Sequence, residues 1–191
     1  MELILASQSP RRRELMGLFG KPFTVRVADV DETLIPGADP AAEVARLSRL
    51  KAGAVPRDPS DVVVAADTVV VCDGRILGKP QSRQEAFSML SMLSGRAHQV
   101  MTGVTVLSSL GCQTVTEVTD VVFRPLTEQE IRNYIASGES DDKAGAYGIQ
   151  GGAALFCSGL QGDYYNVVGL PVCRLGQMLA QLAPQWIGET K

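Results

Sequence analysis

The sequence predicts an α/β fold: a mixed central β-sheet flanked by helices. Three observations predict it. Segments with helical periodicity alternate with short runs rich in β-branched residues. Two strand-like runs, residues 99–107 and 114–124, are joined through Leu110-Gly111-Cys112 as a hairpin, so part of the sheet is antiparallel. The composition is globular, with 191 residues of which 45% are hydrophobic and 20% charged. That length suits one domain over residues 1–191, or two lobes around one cleft, with a loose tail after about residue 183.

The elements follow in order. Residues 2–6 read as the first strand. Ser9 is an N-cap and Pro10 a first helical residue, opening a helix to about Phe19 that Gly20 stops. Residues 23–28 read as a second strand and residues 29–38 as an acidic, Pro- and Gly-containing loop. Asp39 and Pro40 start a helix to about Val55, on which Leu47, Leu50 and Ala54 recur at helical spacing. The apolar run 62–72 is broken only by Asp67 and Thr68, and its length suggests a strand to Ala66, a bend at Asp67 and a second short strand. Asp73-Gly74 turns the chain. Ser82 with Glu85, and Thr127 with Glu130, form capping boxes for helices that end near Ser94 and at Gly138. Residues 140–152 are a glycine-rich loop and 153–157 a short strand. Leu170-Pro171 opens the last helix, to about Leu182.

Several functions are excluded or disfavoured. The net charge of −3 argues against a binder of nucleic-acid polymers. No apolar run has the length of a membrane span, and residues 1–10 lack the pattern of a signal peptide. The single histidine, His98, excludes zinc sites of the H-E-x-x-H type, and with no acid nearby it reads as structural. Cys72, Cys112, Cys157 and Cys173 form no C-x-x-C pair and read as reduced core residues of a cytoplasmic protein.

Four constellations could carry chemistry. Ser7-Gln8-Ser9-Pro10-Arg11-Arg12 lies between a strand and a helix N-terminus, where backbone N–H groups, hydroxyls and guanidiniums suit a phosphate; a capped helix with surface arginines is the alternative. Asp67 interrupts a buried run and so needs a metal, a cation or backbone donors; it is a candidate base or ligand, or else it starts an Asx-turn. Glu32, Lys51, Lys79 and Lys143 are scattered charges whose convergence spacing cannot reveal. The loop 145–152 matches neither common glycine-rich nucleotide fingerprint.

Together these stretches resemble the Maf family of nucleoside triphosphate pyrophosphatases. The matching segments are Leu3-Ile4-Leu5-Ala6-Ser7-Gln8-Ser9-Pro10-Arg11-Arg12, Val30-Asp31-Glu32, Ala66-Asp67-Thr68-Val69, Gly78-Lys79-Pro80 and Thr102-Gly103-Val104. They continue with Asp142-Lys143-Ala144-Gly145-Ala146-Tyr147-Gly148-Ile149-Gln150-Gly151 and Val168-Gly169-Leu170-Pro171. The resemblance implies an ITPase-like arrangement of two lobes around a deep cleft, cleavage between the α- and β-phosphates, a divalent cation (Mg²⁺ or Mn²⁺), and the homodimers common in the family. By resemblance, Asp67 is the proton acceptor, and Arg11, Thr68 and Gln150 set base specificity. Ser7, Arg12, Lys51, Lys79 and Lys143 would then hold phosphates, with Glu32 joining Asp67 at the metal. The loop ending at Gln150 looks like the subgroup that acts on dTTP and UTP, a group linked to removal of modified nucleotides and to restraint of septum formation. Two rival readings are a pyrophosphatase for other non-canonical nucleotides and a non-catalytic, septum-regulating nucleotide-binding protein.

Overall fold

The structure is a computed structural model that describes residues 1–187. In chain order its strands are β1 (Leu3–Leu5), β2 (Thr24–Val25), β3 (Val62–Cys72), β4 (Arg75–Leu77), β5 (Ala97–Ser108), β6 (Gly111–Phe123) and β7 (Cys157–Gln161). The helices are α1 (Pro10–Gly17), α2 (Pro40–Ala54), α3 (Arg83–Leu93), α4 (Glu128–Ala136), α5 (Tyr164–Val168) and α6 (Val172–Leu182). The sheet runs β2-β1-β3-β5-β6-β7, with β4 paired to β3. It is mixed, as expected: β1 lies parallel to β2 and β3, while β3–β4 and β6–β7 are antiparallel. No helix among the described residues is long and apolar enough to cross a membrane.

By contacts the chain divides into two compact units. The first comprises Met1–Asp67, Thr102–Glu117 and residues 169–187; the second comprises Thr68–Met101 and Val118–Val168. In the first unit, Ile4 from β1, Ala6 just after it, and Val63 and Ala65 from β3 pack with Ala52 and Val55 at the end of α2. Helix α2 also seats against β5 at Gly103. A Cβ there would lie 2.3 Å from the Val44 carbonyl oxygen, so only glycine admits the helix backbone. A buried hydroxyl chain reinforces the contact, with Ser48 Oγ 2.8 Å from Thr105 Oγ1 and Thr105 Oγ1 2.9 Å from Thr114 Oγ1.

The caps form where the sequence places them. Ser9, Asp39 and Thr127 each accept a backbone N–H with their side chains, and Thr127 and Glu130 make the reciprocal box; each cap is worth ~1 kcal/mol. At Ser82 the box is incomplete: Glu85 accepts from Gln81 N–H, one residue before the cap. Asp73 and Gly74 both take positive φ, 49° and 73°, in the tight β3–β4 hairpin.

Other expectations are corrected. β3 is one continuous strand with no bend at Asp67, because that carboxylate is met by a cation and has no need of a turn. The second strand shrinks to two residues. Leu50 and Ala54 face solvent, and the buried stripe of α2 is Glu43, Val44, Leu47, Ser48 and Ala52. Residues 152–155 form a 3₁₀ turn and the strand follows as β7; α5 went unpredicted. All four thiols are free, but only Cys72 is buried, and Cys112 and Cys173 are exposed. Pro184–Trp186 is a 3₁₀ turn in the expected loose tail; residues 188–191 lie outside the described residues.

Candidate active site

In the first unit, β1 delivers Ser7 to the mouth of α1. Ser7 Oγ accepts from Ser9 N–H (3.2 Å) and from Arg12 Nη1 (3.4 Å). Arg12 Nε donates to the Gly169 carbonyl at 2.7 Å, so the guanidinium ties the start of α1 to the segment before α6. Burial lowers the Arg12 pKa from its ordinary value, Asp67 and Glu32 oppose that, and Arg11 adds to it. The guanidinium nevertheless stays cationic. Arg11 is half-buried beside it on the same helix.

The decisive contact is a three-residue ion cluster. Lys51 Nζ lies 2.7 Å from Asp67 Oδ1 and 2.7 Å from Glu32 Oε2. The three residues come from different places: Lys51 from α2, Asp67 from the middle of β3 and Glu32 from the loop before α2. Lys51 shares a helix face with Val44 and Ser48, at i+7 and i+3 spacing. The close seating of α2 at Gly103 therefore helps aim it at Asp67. Asp67 and Lys51 are largely buried, whereas Glu32 is exposed.

Two residues that sequence reasoning missed position Glu32. Glu43 is 2% exposed and grips Arg46 through Nε (2.9 Å) and Nη2 (2.6 Å). Glu43 Oε1 then accepts from Ile35 N–H at 2.9 Å, and Arg46 Nη2 donates to Thr33 O at 3.0 Å, so the pair clamps the Glu32 loop to α2. The hydrogen bonds from Arg46 hold the Glu43 carboxyl below its usual range. In sequence, Glu43 looked like any acid in the first turn of a helix.

The cluster fits a hard divalent cation in one respect: two carboxylates already converge on one positive charge. No group of three or more His, Cys, Asp or Glu able to hold a metal occurs among the described residues. The two carboxylates alone suit a Mg²⁺-type ion, which keeps water and substrate phosphates in its shell and takes one or two carboxylates from the protein.

In the second unit, Gly145 N–H donates to Gly78 O at 3.0 Å, tying the segment after Lys143 to the segment before Lys79. Lys143 Nζ is 2.6 Å from Asp142 Oδ1, and Lys79 is exposed. Gly145 has φ +66°, and a Cβ there would come within 2.8 Å of Val70. Ala146 also holds a positive φ, 61°, while fully buried, a strain of about 1–3 kcal/mol that the surrounding contacts impose. Thr68 is half-buried in β3. Gln150 is exposed, and its side chain makes no hydrogen bond among the described residues.

His98 is structural, as expected. Its Nε2 lies 2.8 Å from Tyr147 Oη, its ring packs edge-on to Phe123 and Tyr147, and burial lowers its pKa to about 4.

The model of the Maf-like protein family matches residues 2–182. The chain belongs to that family. A dTTP/UTP pyrophosphatase of Moorella thermoacetica is 50% identical over 182 residues, covering 94% of each chain. A second, of Symbiobacterium thermophilum, is 52% identical over 181 residues, covering 94% of this chain and 93% of its own. Among solved structures, a HAM1 protein from Coxiella burnetii covers 95% of this Maf-like chain and 99% of its own at 14% identity and a TM-score of 0.49, too low to bear on the fold.

Proposed function

We propose that this Maf-like protein is a pyrophosphatase that hydrolyses dTTP and UTP to the monophosphate and pyrophosphate. The observation that carries the chemistry is the convergence of Glu32 and Asp67 on the Lys51 ammonium near the Arg12 guanidinium. The nucleotide comes from the two relatives, each about half identical over nearly the full chain.

The reaction needs a water oxygen to attack the α-phosphorus. Asp67 accepts the proton that water gives up, the bridging P–O bond between α and β breaks, and its electron pair leaves on pyrophosphate. Ser7 and Arg12 stand where backbone N–H groups at the start of α1 already favour an anion. Lys51, Lys79 and Lys143 supply point charges for the remaining phosphate oxygens. Glu32 and Asp67 would hold the Mg²⁺ or Mn²⁺ ion, which when bound supplies charge neutralisation for the leaving group. Arg11, Thr68 and Gln150 would read the base. Uracil and thymine offer a carbonyl, an N3–H and a second carbonyl, and a glutamine amide can pair with two adjacent members of that edge. The thymine methyl lies off that edge, so one reader serves both nucleotides.

Product analysis tests the cleavage position. dTTP incubated with the protein and Mg²⁺ should give dTMP and pyrophosphate in equal amounts. dTDP and orthophosphate would contradict the proposal.

A further inference from the structure

The Gln150 side chain has no hydrogen-bonding partner among the described residues, so its own contacts do not determine where it sits. Its backbone does. Tyr147 and Ile149 are buried, and Gln150 and Gly151 between them and the next turn are exposed. The arch closes on itself where Gly151 N–H donates to Gly148 O at 3.1 Å. Each end is then held from outside by one side chain. Gly148 N–H donates to Tyr134 Oη at 3.0 Å, and Gly152 N–H donates to Glu139 Oε2 at 2.9 Å.

Both clamps are themselves fixed. Tyr134 is 6% exposed on α4, and its ring packs edge-on to Phe156 at 5.2 Å between centroids. Phe156 packs in turn on Phe123, which contacts Tyr147 at 4.8 Å, so the ring cluster under the arch is continuous. Glu139 follows α4, and its N–H donates to Ser137 Oγ at 3.3 Å. The glycines make room for the clamps. Gly151 has an ordinary negative φ of −102°, yet a Cβ there would fall 2.0 Å from Glu139 Oε2. A Cβ on Gly152 would fall 3.3 Å from the Tyr134 ring. A side chain at 151 would therefore push the Glu139 carboxylate away from the arch.

We propose that Tyr134 and Glu139 are specificity-positioning residues: by clamping the two ends of the 148–152 arch they set the point from which Gln150 reaches the pyrimidine base. The proposal rests on the reading of Gln150 as a base reader. Neither residue touches substrate; both act through Gln150. A hydrogen bond to the base forms over only a few tenths of an ångström, so an arch that drifts loses the base contact and leaves the phosphate chemistry intact.

Steady-state kinetics on dTTP, UTP, dCTP and GTP test this with Tyr134→Phe, Glu139→Ala, Glu139→Gln, Gly151→Ala and Gln150→Ala, the last also combined with Glu139→Ala. Tyr134→Phe keeps the ring and its packing. Tyr134→Phe, Glu139→Ala and Gly151→Ala should each raise KM for dTTP and UTP about tenfold, the equivalent of one hydrogen bond, with kcat within about threefold. Glu139→Gln retains an acceptor and should restore most of the affinity. In the Gln150→Ala background, Glu139→Ala should add little, because both losses are then the same loss. Additive losses, or a fall in kcat with unchanged KM, would overturn the proposal. A dTTP and UTP preference that Gln150→Ala abolishes but the clamp variants leave intact overturns the clamp alone. An unmodified protein with no such preference overturns the Gln150 reading, and the clamp with it.

Discussion

Around Asp67, position is set by charge. Around Gln150, it is set by backbone amides and rings. In the first region Lys51 joins two carboxylates that are 35 residues apart in sequence, from Glu32 to Asp67, and a buried Glu43–Arg46 fork holds the loop that carries one of them. In the second, two side chains grip two glycine N–H groups, and the exposed Gln150 side chain has no hydrogen-bonding partner among the described residues. The contrast matches the two tasks we propose for these regions. Hydrolysis of a triphosphate must manage dense negative charge and one proton, which calls for charged groups held in place before substrate arrives. Telling one base from another calls for a neutral donor–acceptor pair at a fixed reach.

On that division, the two regions fail differently when altered. The largest effect is expected at Asp67. Asp67→Asn keeps the shape and removes both the charge of the proposed proton acceptor and the anionic partner of Lys51. Turnover on every nucleotide should fall by about 10²–10⁴, with the ranking of nucleotides unchanged and the fold retained by circular dichroism. A near-normal kcat would remove Asp67 from the chemistry. Glu32→Gln should act next most strongly: the Mg²⁺ concentration for half-maximal activity rises, while activity at saturating metal largely recovers. An unchanged metal requirement would separate Glu32 from the cation.

How visible these regions are in the sequence also differs. Helix starts were readable because a cap is a local event: Ser9 with Pro10, Asp39 with Pro40, and Thr127 with Glu130 each act within four residues. Asp67 was visible as a charge in an apolar run, but the bend expected there was not found, since its partner Lys51 comes from another element and no local pattern announces it. Leu50 and Ala54 show the same limit of a local pattern. Their spacing is helical, but which face of α2 is buried is decided by the glycine at 103, some 50 residues on. Tyr134, Glu139, Glu43 and Arg46 gave no signal at all, because each works through a backbone group in another element or loop, beyond the reach of a local motif.

A smaller effect isolates the ring cluster beneath the Gln150 arch. His98 is the only histidine in the chain. Burial holds its pKa at about 4 in the folded protein, against about 6.5 when unfolded. Between those values the unfolded state binds the extra proton. Stability is therefore fully present above about pH 6.5 and declines as pH falls toward 4, by up to about 1.4 kcal/mol per pH unit. Urea unfolding from pH 7 to 5 should show this slope, and His98→Asn should flatten it. An equal slope in the variant would mean that other groups carry the pH dependence.

The most direct measurement is the rate of pyrophosphate release by the unmodified protein from dTTP, UTP, dCTP and GTP with Mg²⁺. The account predicts that kcat/KM for dTTP and UTP exceeds that for dCTP and GTP by at least about tenfold, one hydrogen bond's worth of discrimination. Comparable values across the four nucleotides would contradict it.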